Sequence, residues 1–313
     1  MPEQIAMREA FGQTLVSLGQ RLPDLVVLDA DVSPSTRAVL FAQAFPQRFF
    51  QVGIAEQNMI GMAAGLSTLG FIPFTSTFAC FVKRDLDQIR IVVAQPKNNV
   101  KITGHYSGLL AGKTGKTHLS IQDLAIMRTM PNMTVIAPAD GIEVEKAMEA
   151  MVAMHGPAYL RLGRDPCPVI FDRSYRFEIG PAVKLRDGGD VALISTGIQT
   201  PRTIDAADML KAQGISALVL HVPTLKPLDV EAIVTAAERT GLVVTAEEHS
   251  ILGGLGGAVA EVLSEHRPTP LLRVGVRDIN AESAPNEALL EKYGVTARHV
   301  ADAARSHLAK WRR

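Results

Sequence analysis

Short apolar runs alternate with stretches of helical period along the chain, and that alternation restricts the fold more than any other feature. LVVLDAD at 25–31, NNVKITG at 98–104, MTVIAP at 133–138 and AYLRLG at 158–163 predict buried strands. Amphipathic segments lie between them, including one from about Ala6 to Leu18 and GIEVEKAMEAMVAM at 141–154. Strands separated by helices imply parallel sheets covered on both faces. A second set follows residue 190: VALISTG, ISALVLHV, GLVVTAEE and PLLRVGV. The stretch between the sets, CPVIFDRSYRFEIGPAVKLRDGGD, is rich in proline, glycine and charge, so the boundary falls near 171–180. The expected fold is α/β with two doubly wound domains, 1–172 and 173–313. Ligands of such sheets gather at the carboxyl ends of the strands, which directs attention to the residues after each run.

Charge narrows the function classes. Lys plus Arg and Asp plus Glu both number 32, so nothing points to nucleic acid or an anionic membrane. Cys80 and Cys167 stand apart, with no CxxC pair or Cys/His cluster of metal-ligand spacing, and read as reduced structural thiols. The first residues lack a secretory pattern and no apolar run is long enough to span a bilayer, so the expected location is the cytoplasm.

The segment richest in chemistry is FFQVGIAEQNMIGMAAGLSTLGFIPFTSTFACF at 49–81. A short strand passes through Gly53 into a helix opened by Glu56, where the helix dipole favours a carboxylate. A first-turn Glu is ordinarily a cap on a solvated helix. Here Gly61, Ala63, Ala64 and Gly65 give the helix a small-residue face suited to close approach of another backbone. Phe78 and Phe81, three apart, are expected on one helix face, as core or as an aromatic shelf beside the acid.

This run resembles the pyrimidine-binding domain of transketolase. The likeness continues through HYS at 105–107, GKTHLS at 115–120, MPNMTVIAPAD at 130–140 and GPAYLRLGR at 156–164, and more loosely beyond. In effect the chain resembles the C-terminal half of a transketolase, that is, the subunit of a split enzyme that carries the pyrimidine-binding domain followed by the family's C-terminal domain. The resemblance implies that Glu56 hydrogen-bonds the N1′ nitrogen of thiamine diphosphate, for which it must be withdrawn from water and share a proton. It implies that Phe81 stacks on the pyrimidine with Phe78 in the same pocket, and that Asp31 lies near the cofactor at a subunit interface. His118 would contact sugar hydroxyls. Arg8, Ser35, His105 and Arg164 would grip a sugar phosphate, and an arginine fork suits such an anion.

Three departures qualify that picture. Thr114 stands where the family has an aspartate that reads a donor hydroxyl, flanked by Lys113 and Lys116, so a modified or extra-anionic sugar is expected. Arg84 replaces a common third aromatic. The Gly-Asp-Gly followed by Asn that holds diphosphate and metal in this superfamily is missing, so no metal ligand is assigned here. The Mg²⁺ ligands are expected on an N-terminal, diphosphate-binding partner subunit, with an α2β2 assembly. The expected activity is transfer of a two-carbon ketol unit from a ketose to an aldose phosphate. The rivals are the β subunit of a 2-oxo acid dehydrogenase and, from another class, a non-catalytic regulatory subunit.

Overall fold

The computed structural model describes residues 3–311, and these form fourteen strands. In chain order they are β1 (Gln4–Ala6), β2 (Leu25–Asp29), β3 (Phe49–Gln51), β4 (Ile72–Phe78), β5 (Lys101–His105), β6 (Thr134–Ile136), β7 (Ala158–Arg161), β8 (Pro166–Pro168), β9 (Val183–Arg186), β10 (Val191–Ser195), β11 (Ala217–His221), β12 (Thr224–Lys226), β13 (Val243–Ser250) and β14 (Leu271–Val276).

The first large sheet has the order β12-β6-β7-β5-β4-β2-β3 and is parallel except at β12. Every residue of β2, β5, β6 and β7 is buried, as expected of strands covered on both faces. The second sheet, β14-β13-β10-β11-β9, is parallel except at the edge strand β9. The architecture is α/β, as the periodicity predicts.

Two features were not legible in the pattern of apolar runs. The strand β4 is central, between β5 and β2, yet Thr75, Ser76 and Thr77 occupy its interior and are all buried. A hydroxyl-rich strand shows no apolar run, and burial on both sides is what gives it its place. The second half of the chain also lends β12 to the first sheet, where Thr224 pairs with Ile136. Buried polar contacts reinforce that joint: His221 meets Glu143 through Nε2 at 2.8 Å, and Tyr175 donates to the other Glu143 oxygen at 2.8 Å. Cys80 and Cys167 are buried free thiols, pushed by burial up to about 11 and about 12.

The parallel strands bring their carboxyl ends together. Asp29 pairs with Ser76, Phe78 with His105, and Gly104 with Arg161. The loops that leave these ends carry Asp31, Phe81, Tyr106 and Arg164.

Candidate active site

Gly53 adopts φ +69° and turns the chain from β3 into the helix Glu56–Thr68. The Gln51 side chain holds this corner: its Oε1 accepts from the amides of Asp31 (2.9 Å) and Gly53 (3.0 Å), while Nε2 donates to Asp29 at 3.0 Å. Asp29 also accepts from the amides of Val32 and Ser33. Asp31, exposed and at φ +62°, therefore sits against the turn that leads to Glu56.

Glu56 is 3% exposed, and no side chain caps the helix that it opens. The reading as a solvated cap therefore does not apply. Arg84 Nη1 stands 3.9 Å from Glu56 Oε2, and Gln57 Nε2 donates to the Arg84 carbonyl at 2.9 Å, fastening the helix start to the turn after Phe81. The small residues expected on one face are divided: Ala63 and Ala64 enter the core, whereas Gly61 and Gly65 have open space above them.

Asp85, in the same turn, is fully buried and neither of its oxygens has a partner. Burial and then the negative field of Glu56 push it up to about 7. Between the ordinary carboxylate range and about pH 7 the folded chain thus holds a proton that the unfolded chain has released. Stability therefore falls as pH rises through that window, and the loss is complete above it. Asp85→Asn cannot ionise and sacrifices no hydrogen bond. It should raise the thermal midpoint relative to wild type at about pH 8, with the gain vanishing near about pH 4. An equal difference at both pH values would contradict this assignment.

Phe78 and Phe81 do not share a helix face. Phe78 ends β4 and Phe81 lies in the following short helix Ala79–Val82. The chain reverses between them, and the rings still meet, stacked at 5.5 Å with 22° between planes. His118 is half-buried and stands edge-on to Phe81 with ring centroids 5.4 Å apart, and Nδ1 bonds the Thr117 hydroxyl at 3.0 Å. On the other side Tyr106 stacks on Phe78 at 4.2 Å.

Tyr106 is the residue that sequence reasoning missed. It adopts φ +57°, a conformation that costs a bulky residue energy unless its surroundings enforce it. Arg8 Nη1 donates to its hydroxyl at 3.2 Å and to the Ser35 carbonyl at 3.2 Å. The Arg164 guanidinium lies 5.4 Å from the Tyr106 ring centroid, and its hydrogen bond to Tyr106 helps hold Arg164 above the usual range. Nε of both arginines is buried without a partner, so each guanidinium keeps unused donor capacity. An unbroken line of side chains thus runs from Phe81 through Phe78 and Tyr106 to the two arginines.

His105 is the last residue of β5, is fully buried, and packs edge-on against Phe11 with ring centroids 4.6 Å apart. Its Nε2 lies 3.3 Å from the Thr103 hydroxyl. Burial, aided by the Arg8 charge, pushes it down to about 3, so the ring is neutral. Its Nδ1 is buried without a partner, so the ring meets a phosphate, if it meets one, as a neutral hydrogen-bonding group and not as a cation. Of the four grip residues, Arg8, Ser35 and Arg164 come together around Tyr106.

Comparison with known proteins places this geometry in context. The family model for the transketolase pyrimidine binding domain matches residues 3–168, and that for the transketolase C-terminal domain matches residues 180–300. A protein described as a transketolase C-terminal section, from Methanocaldococcus jannaschii, is 44% identical over 94% of this chain and 94% of its own length. A 6-deoxy-6-sulfo-D-fructose transketolase subunit from Clostridium sp. strain MSTE9 is 43% identical over 96% of this chain and 94% of its own length. A solved split gene transketolase, described as an inactive beta4 tetramer, superposes with a TM-score of 0.90 at 50% identity, over 98% of this chain and 99% of that one.

Proposed function

The chain belongs to the transketolase family, matching C-terminal sections and separate subunits along nearly their whole length, and on that premise we propose that it supplies the pyrimidine half of a thiamine-diphosphate site in a split transketolase. The observation that carries this reading is the buried Glu56 carboxylate, tied through Arg84 to the turn after Phe81, together with the stacked Phe81–Phe78–Tyr106 series that ends on Arg8 and Arg164.

The residues present fit the pyrimidine end of the cofactor. Glu56 is withdrawn from water and bonded to nothing closer than Arg84 at 3.9 Å, which leaves its oxygens free for a ring nitrogen. When bound, the cofactor supplies the nucleophilic carbon that carries the ketol unit. Glu56 holds the proton shared with the pyrimidine N1′, Phe81 and Phe78 offer apolar ring faces, and Asp31 borders the same corner. His118 orients the sugar hydroxyls beside Phe81. Arg8, Arg164 and the Tyr106 hydroxyl take the terminal anion, with Ser35 fixing Arg8 through its carbonyl.

A partner subunit carries the Mg²⁺ and diphosphate-binding domain in this reading, in an α2β2 complex. Two facts support it: the structural relative is inactive as a tetramer of its β chain, and the Glu56 helix presents Gly61 and Gly65 to open space, with Met62 and Leu69 exposed nearby. Among the described residues no helix is long and apolar enough to cross a membrane. The decisive assay is ketol transfer from a ketose phosphate to an aldose phosphate, with thiamine diphosphate and Mg²⁺, by the chain alone and by the complex co-purified from its native cell. Turnover should need the partner; vigorous turnover by the isolated chain would overturn the division of labour.

The anion site has its own test. Arg164→Ala removes charge-assisted bonds worth together about 1.5–3 kcal/mol. It should raise KM for a phosphorylated or sulfonated ketose by about 10–100-fold, and leave a neutral ketose unaffected. Equal KM values for wild type and variant on the anionic sugar would discard the site.

A further inference from the structure

The loop at 106–118 joins Tyr106 at the anion end to His118 at the aromatic end, and the far half of the chain holds its first part. Glu248, in β13, is buried. Its Oε1 accepts from the amides of Leu109 (2.7 Å) and Leu110 (3.1 Å), and Arg202 donates to Oε2 at 2.8 Å. Gly108, at φ +78°, lets the loop approach so closely that a Cβ there would stand 2.4 Å from that carboxylate. Asn286 opens the helix Asn286–Lys292. Its Oδ1 accepts from the Gly112 amide (3.2 Å), while Nδ2 donates to the Leu110 carbonyl (3.3 Å) and to the Asp165 carboxylate, which itself pairs with Arg164.

Such contacts are more specific than packing alone requires. Two side chains, 139 and 174 residues away from the amides they meet, satisfy four backbone groups of one short loop. Ser107 and Gly108 are tied to Leu162 and Ser120, but the stretch 109–112 has no strand partner, and unpaired buried amides are costly. Both clamps lie near the anion site: Asn286 through Asp165 and Arg164, Glu248 through Leu109 and Leu110, three and four residues after Tyr106. Freed from them, the stretch beyond Gly108 would be able to shift and carry His118 away from Phe81. A small misplacement of a recognition group is enough to lower a rate substantially.

We propose that Glu248 and Asn286 are positioning residues for sugar recognition, through which the second half of the chain sets the geometry of the substrate loop. This rests on the function proposed above. The test uses the complex with its diphosphate-binding partner and the variants Asn286→Ala and Glu248→Gln. Gln keeps an acceptor for the two amides but cannot pair with Arg202.

In both variants, KM for the ketose phosphate should rise about tenfold or more, while kcat stays within about threefold and thiamine-diphosphate affinity within about twofold. The backbone amide of Gly112 should exchange with deuterium faster in Asn286→Ala. A lowered thermal midpoint with unchanged KM would show a merely structural role and overturn the proposal. A wild-type complex that transfers no ketol unit would remove the functional reading and this inference with it. An active wild type with unaltered KM in both variants overturns this inference alone.

Discussion

Glu56→Gln is expected to reduce turnover of the reconstituted complex by about 10²–10⁴-fold, the range that a positioned proton-transfer group contributes. Gln matches Glu in length and volume, so the buried start of the helix Glu56–Thr68 should keep its packing. What it lacks is an exchangeable acidic proton. Glu56→Asp should fail by another route, because the shorter side chain withdraws the carboxyl from the aromatic cleft while keeping its chemistry. Cofactor titration separates these effects from loss of binding, and circular dichroism checks the fold. Turnover of the Gln variant within about twofold of wild type would remove Glu56 from the mechanism.

Asp123→Ala should cost about 3–5 kcal/mol of unfolding free energy, the penalty for leaving a buried charge without its partner. Asp123 is 1% exposed and Arg161 is 4% exposed. One Asp123 oxygen takes Arg161 Nε and the Tyr159 hydroxyl, both at 2.9 Å. Burial alone would raise this carboxyl, but the Arg161 charge, nearby His249 and the hydrogen bonds from Arg161 and Tyr159 together outweigh it and hold Asp123 below the ordinary range. Its stabilising contribution is therefore complete above the unfolded value and lost as pH falls through the lower folded one.

Arg161 also donates to the Glu248 carbonyl at 3.0 Å, so the pair helps join the two halves of the chain. Urea midpoints at one fixed protein concentration measure the loss. The double variant Asp123→Ala, Arg161→Met should be less destabilised than the single one, since no unpaired charge remains. A loss below about 1 kcal/mol in the single variant would mean that water or another acid compensates Arg161.

The parts of the fold that could be read in advance are those with a local signal. Runs such as LVVLD and VALIS are apolar because both faces of their strands are covered, and each lies in a fully buried strand. The helix Gly141–Ala153 appears in its spacing, and Asp140 caps it by accepting from the Glu143 amide. Glu56 could be singled out because Gly53 and a helical pattern flank it. By contrast, β4 carries buried hydroxyls in place of an apolar run, and β12 is three residues long and takes its meaning from a partner some ninety positions earlier.

Residue type, local period and family likeness thus settle the fold class and single out the carboxylate at the helix start and the candidate arginines, because each leaves a mark within a few positions. Burial and long-range pairing are properties of the folded chain alone. Tertiary structure decides that His105 is a neutral core ring, that Tyr106 bridges Arg8 to Arg164, and that Glu248 and Asn286 reach across to the substrate loop. The reason is physical: desolvation and hydrogen-bond geometry depend on which atoms surround a group, and chain closure brings those atoms from as far as 174 residues away.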